Sequence, residues 1–133
     1  MTYLLDVNAL VALGFMNHEF HQRVSAWIKS HDLAGFELAT CSITELGFVR
    51  VLVQAPAYGF TVAQARTLLL RLKAARSVHF TFIPDQNDVS DLPVWVKGAK
   101  QITDGHLSAL ATANGAVLAT LDENIPRAFL IPG

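Results

Sequence analysis

Short apolar runs alternate with longer stretches of three-to-four-residue periodicity along the 133-residue chain. Tyr3-Leu4-Leu5 is a short run closed at once by Asp6, which fits a buried strand. Val7 to Met16 reads as helix, with Leu10, Leu13 and Gly14 close to one face. His18 to His31 reads as a second helix, its stripe made by Phe20, Val24, Trp27 and Ile28. Phe36 to Thr40 is a candidate strand. Ser42 to Val53 is helical, with Leu46, Val49, Leu52 and Val53 as apolar positions, and Ala55 to Gly59 is a loop. Thr61 to Ala75 gives the strongest helix signal. A Thr cap leads to Ala65, Leu68, Leu69 and Leu72 on one side, and Arg66, Arg71, Lys73 and Arg76 on the other. His79 to Ile83 alternates as a strand and ends at Pro84, while Leu92 to Lys100 has no clear period. Thr103 to Asn114 is a helix with Leu107, Leu110 and Ala111 inward and Gly115 as its stop. Ala116 to Thr120 is a strand, and Phe129 to Ile131 a last short one.

This alternation of strands and helices predicts an α/β domain, with a mostly parallel sheet covered by helices on both faces. The length suits one domain spanning residues 1–133. Apolar residues make up 52% of the chain and charged residues only 16%, which excludes intrinsic disorder. So small a domain has little interior, so part of its apolar surface is expected to be covered by a partner. The net charge of −1 excludes a bulk electrostatic binder of nucleic acid. A single cysteine, Cys41, excludes an internal disulfide and a multi-cysteine zinc site, and fits a reducing compartment. No apolar run is long enough for a membrane span, and the first residues lack the basic start of a signal peptide. The expected location is the cytoplasm.

In parallel sheets ligand sites gather at the carboxyl ends of the strands, and acids stand there. Asp6 ends the first strand, Asp122 follows Thr120 by two, Asp104 opens the helix leading into that strand, and Glu45 sits in the first turn after the second strand. Singly, each has a structural explanation. Asp6 or Asn8 can cap a helix, Ser42-Ile43-Thr44-Glu45 fits a capping box with Glu45 returning to the Ser42 backbone, Asp104 complements a helix dipole, and Leu121 to Asn124 can be a turn. Jointly they point toward one edge of the sheet. Converging carboxylates cannot all stay ionised without compensation, and no Lys or Arg lies within two positions of Asp6, Asp104 or Asp122. All-oxygen ligands favour Mg²⁺ or Mn²⁺, which activate water and clamp the oxygens of a phosphodiester.

Leu4-Leu5-Asp6-Val7-Asn8-Ala9-Leu10 resembles the opening of PIN-domain nucleases, particularly VapC-type toxins of bacterial toxin–antitoxin pairs. Thr44-Glu45-Leu46, Thr103 to Ala111 and Ala119-Thr120-Leu121-Asp122 are similar to the second, third and fourth acidic motifs of that family. The resemblance runs from residue 3 to residue 124. It implies a three-layer α/β/α sandwich with a mostly parallel central sheet. It implies Mg²⁺- or Mn²⁺-dependent endoribonuclease activity, blocked by a cognate antitoxin protein. Carried over, Asp6, Glu45, Asp104 and Asp122 form the catalytic site, and Asp6, Asp104 and Asp122 are the metal contacts. Glu45 binds metal or orients the attacking water, Asn8 braces Asp6, and Thr120 hydrogen-bonds a neighbouring carboxylate. Where some members carry another Asp, two positions after the fourth acid, this chain has Asn124. Its uncharged carbonyl oxygen predicts weak holding of any second metal.

The remaining polar residues read more plainly. His106, two residues after Asp104, faces roughly the opposite side of its helix in a surface or packing role. His18 and His21 read as a helix edge. The Arg66, Arg71, Lys73 and Arg76 stripe reads as a solvated face, with a phosphate-binding stripe as the alternative. RNA attraction must come from such a local patch or from bound metal. Trp27 and Trp95 read as packing. The apolar excess is expected to be buried by a homodimer and an antitoxin segment. Two other readings are a haloacid-dehalogenase-like phosphatase and a catalytically inactive PIN-like or receiver-like binding module. The first needs an acid at Asn8 and an early Thr, and the second leaves the acids merely tolerated.

Overall fold

Short strands bury their side chains by pairing with neighbours, and the strands here pair in parallel, the three inner ones on both edges. The computed structural model describes residues 1–32 and 34–133. The elements in chain order are β1 (Thr2–Leu5), α1 (Val7–Gly14), α2 (His21–Lys29), β2 (Glu37–Thr40), α3 (Ser42–Gln54), α4 (Val62–Ala74), β3 (His79–Phe82), α5 (Ile102–Ala113), β4 (Ala116–Thr120) and β5 (Phe129–Leu130). The sheet order is β3-β2-β1-β4-β5, and every pairing is parallel. Leu4 stands opposite Ala39 on β2 and Leu118 on β4.

The two-residue period of a strand then sorts the core into two layers. Leu5, Leu38 and Ala119 pack with α1, α2, α3 and α4 on one face, around buried Leu10, Val24, Trp27, Phe48, Leu52 and Leu69. Leu4, Ala39 and Leu118 pack on the other face under Leu107, Leu110 and Ala111 of α5. The three-layer α/β/α sandwich with its parallel sheet is therefore present. Trp27 lies among Tyr3, His31, Phe36 and Phe129, and Trp95 packs against the second layer, so both tryptophans serve packing.

Three local expectations need correction. The second helix starts at His21, because His18 Nδ1 accepts the Phe20 N–H at 3.0 Å and holds a turn first. α3 is capped from Cys41, not Ser42: Thr44 Oγ1 accepts the Cys41 N–H at 3.0 Å, which releases Glu45 from any capping duty. The inner face of α3 is Thr44, Gly47, Phe48 and Leu52, while Leu46 is 62% exposed and Val53 is also exposed. Hydrophobicity misplaces that face because α1 comes too close for a large side chain. A Cβ on Gly47 would lie 2.6 Å from Val7 Cγ2. Of Leu92 to Lys100, residues 92–98 are irregular after a 3₁₀ turn at Val89–Asp91, and the last two enter a second such turn at Ala99–Gln101. α4 keeps its Thr61 cap, with Gln64 N–H on Thr61 Oγ1 and Thr61 N–H on Gln64 Oε1. Gly115, at φ +68°, stops α5.

Candidate active site

The strand order proceeds from β1 to β2 and β3 on one side, then returns to β4 and β5 on the other. That reversal opens a crevice at the carboxyl ends of β1 and β4. Asp6 leaves β1 there and Asp122 follows β4. Asp104, in the first turn of α5, faces the same cleft of about 360 Å³. Val7, Asn8, Val11, His18, Val51 and Tyr58 complete its lining. A larger hollow of about 500 Å³ beside α5, lined by Trp95, Ser108 and Arg127, brings in only one carboxylate, Asp91.

Thr120 organises the acidic edge. Its buried hydroxyl donates to Asp6 Oδ2 at 2.8 Å. It accepts from the Asp122 N–H at 3.0 Å and from Asn8 Nδ2 at 3.4 Å. One donor and two lone pairs are thus all engaged. Asp6 Oδ1 accepts the Val7 N–H at 2.8 Å, so this acid also starts α1. Asn8 Oδ1 accepts the Leu121 N–H at 3.2 Å. Asn8 therefore reaches Asp6 through Thr120, and not by a bond of its own. Asn124 is exposed, and its N–H donates to Asp122 Oδ1 at 2.9 Å, so it fixes the turn that presents Asp122.

The electrostatics follow from this crowding. Burial pushes the Asp6 carboxyl above the ordinary carboxylate value; the bonds from Thr120 and Val7 pull against that, and Asp122 adds to it. Asp104 is raised by burial, then by the charges of Asp6 and Asp122. Among the described residues no Lys or Arg forms an ion pair with these three acids. Nor do three His, Cys, Asp or Glu side chains there form a ready-made metal cage. Mg²⁺ does not need one, since it is usually held by one or two carboxylates plus water and substrate oxygens. Three oxygen-only side chains that repel one another fit such a cation.

Glu45 stands apart from the three aspartates. At the carboxyl end of the neighbouring strand, its Oε2 accepts from Thr40 Oγ1 at 2.6 Å and pairs with Lys73 Nζ at 2.5 Å. It is not part of the cleft lining. The four cations of α4 and its end consequently divide: Arg66, Arg71 and Arg76 are exposed, and Lys73 turns in. His106 pairs with Asp85 and tethers the segment after β3 to α5. The residues missed in the sequence are His18 and Tyr58, both in the lining. His18 gave only a helix-edge signal, and Tyr58 lies in a loop, held edge-to-face on Phe15 with centroids 4.7 Å apart.

A parallel α/β sandwich with acids at its strand-order reversal has a counterpart among known proteins. The PIN domain family matches residues 3–129, and the chain belongs to that family. Ribonuclease VapC38 of Mycobacterium tuberculosis is 38% identical over 124 residues, covering 92% of this chain and 86% of that protein. Ribonuclease VapC44 of the same organism is 36% identical over 129 residues, covering 94% and 89%. The crystal structure of VapBC2 from Rickettsia felis, bound to a DNA fragment from their promoter, superposes with a TM-score of 0.58 at 15% identity over 98% of this chain and 97% of that one. This last likeness concerns the fold alone.

Proposed function

We propose that the protein is a Mg²⁺- or Mn²⁺-dependent endoribonuclease, the toxin of a toxin–antitoxin pair. The observation that carries this reading is the cleft at the strand-order reversal. Asp6, Asp104 and Asp122 share it, two of them are pushed up in pKa, and among the described residues no Lys or Arg forms an ion pair with them. The names of the ribonuclease VapC relatives supply the substrate class. That the Rickettsia felis neighbour is a VapBC assembly supports reading an antitoxin as the partner. Residues 1–133 are read as one nuclease domain.

Asp6, Asp104 and Asp122 would hold the cation. When bound, it supplies charge stabilisation for the phosphodiester and activation of water. Thr120 keeps one oxygen of Asp6 turned and hydrogen-bonded, and Asn8 keeps Thr120 in place. His18 accepts the Phe20 N–H on Nδ1, which puts its ring proton on Nε2, a donor for a phosphate oxygen. Glu45 is the fourth acid, and it reaches the reaction only after its partners release it. The apolar excess, including exposed Leu46 and Val53 on α3, suits a homodimer and a bound antitoxin segment. A single monomeric species in light scattering at high concentration would contradict the homodimer.

The direct test is cleavage of a single-stranded or loop RNA with Mg²⁺ or Mn²⁺, repeated in EDTA. Cleavage that stops in EDTA and returns with added metal is expected. An undiminished rate in EDTA overturns the proposal.

A further inference from the structure

The carboxyl edge of the sheet does not end at the three aspartates. Beyond β1 lies β2 with Glu45 and Thr40, and beyond that the edge strand β3, whose last residue, Phe82, pairs in register with Thr40. Phe82 is 44% exposed. Lys73 Nζ lies 5.4 Å from the centroid of its ring while pairing with Glu45. The edge therefore presents, in order, an aromatic ring with an ammonium group, a glutamate, and the aspartate cleft.

An exposed ring beside an ammonium group is the pairing that single-stranded nucleic acid uses: a base stacks and a phosphate is neutralised. Among the described residues the aspartate cleft itself has no Lys or Arg in its lining, so the polyanion needs a cation nearby. We propose that Lys73 and Phe82 form a subsite for an RNA nucleotide flanking the scissile bond, and that Glu45 holds Lys73 in reserve until RNA arrives. The phosphate competes with Glu45 for the ammonium group, and its binding frees Glu45 to turn toward the cleft. Lys73 is thus a positioning residue that couples substrate arrival to release of the fourth acid. This inference rests on the ribonuclease reading above.

The test needs neither metal nor turnover. A fluorescein-labelled single-stranded RNA oligonucleotide is titrated at low salt in EDTA, with anisotropy as readout and circular dichroism as the check on folding. Glu45→Gln is expected to bind RNA more tightly, because Lys73 is released. That gain disappears in the Glu45→Gln, Lys73→Met double variant, which separates release of Lys73 from simple loss of a negative charge. Lys73→Met alone binds more weakly and flattens the salt dependence by roughly 0.7 in log–log slope, one single-strand phosphate contact, while Lys73→Arg restores it. Phe82→Ala weakens binding about fivefold or more, the effect of one lost base stack. An equal gain from Glu45→Gln with and without Lys73, or unchanged binding by folded Lys73→Met, overturns the subsite. If the wild type cleaves RNA with metal but shows either result, the subsite alone fails. If it neither binds nor cleaves RNA, the ribonuclease reading fails and the subsite with it.

Discussion

Thr120 shows how much can rest on one hydroxyl. It serves Asp6, Asp122 and Asn8 at once, and it is fully buried. Thr120→Val keeps the shape and removes all three bonds. Groups that orient metal-binding carboxylates usually matter about 10- to 100-fold, and a loss of that size in Mn²⁺ affinity is expected by calorimetric titration. Asp104 acts in the opposite sense on stability. Its carboxyl is raised by burial and by Asp6 and Asp122, so the charge is a burden in metal-free protein. Asp104→Asn should abolish most cleavage yet melt a few degrees higher than the parent in EDTA. The pH dependence has a definite sign. Asp6 and Asp104 hold protons to higher pH folded than unfolded, so the folded state binds more protons between the ordinary and the raised values. Their stabilisation is complete below the unfolded value near 3.8 and is lost as pH rises through the raised ones. Thermal melts in EDTA should therefore favour the parent over the Asp6→Asn, Asp104→Asn double variant progressively as the pH is lowered toward the ordinary carboxylate value. The difference between the two cancels the carboxylates they share.

Among the elements, α1 and α3 set the cleft. Val7 follows Asp6 directly and meets α3 at Gly47, where only hydrogen fits: an added Cβ would come within 2.6 Å of Val7 Cγ2 and 3.2 Å of Cγ1. Valine is stiff at χ1 and cannot swing aside. Gly47→Ala is expected to cost about 1–3 kcal/mol in chemical denaturation, the usual penalty of overpacking, and to lower metal affinity by displacing Asp6. The strands and the helix bodies were legible in the sequence because local period and caps decide them. Thr61 with Gln64, and Gly115 after Asn114, work within a few residues. The inner face of α3 was not legible. Gly47 occupies it for a reason that belongs to α1, far away in sequence, and Thr44 is turned in by its bonds to Cys41.

At the scale of the whole molecule, the parallel sheet gathers distant residues at one edge. Asp6 and Thr120 are 114 positions apart and 2.8 Å apart in space. The three aspartates could be placed at that edge from the sequence because each stands within two residues of a strand end or in the first turn of a helix. The partner of Glu45 could not, since Lys73 is 28 residues away and looked like one of four solvent-facing cations. No local pattern announces an ion pair closed by the packing of α3 against α4. With a net charge of −1 and, among the described residues, no Lys or Arg in the cleft lining, the proposed nuclease needs a divalent cation at the aspartates to seat the scissile phosphodiester, while Lys73 and Phe82 hold a flanking nucleotide without it. Crystals soaked in Mn²⁺ and measured at the manganese absorption edge test that need most directly. The expected result is an anomalous peak among the carboxylates of Asp6, Asp104 and Asp122. Bare density there, at a Mn²⁺ concentration that supports RNA cleavage in solution, would contradict it.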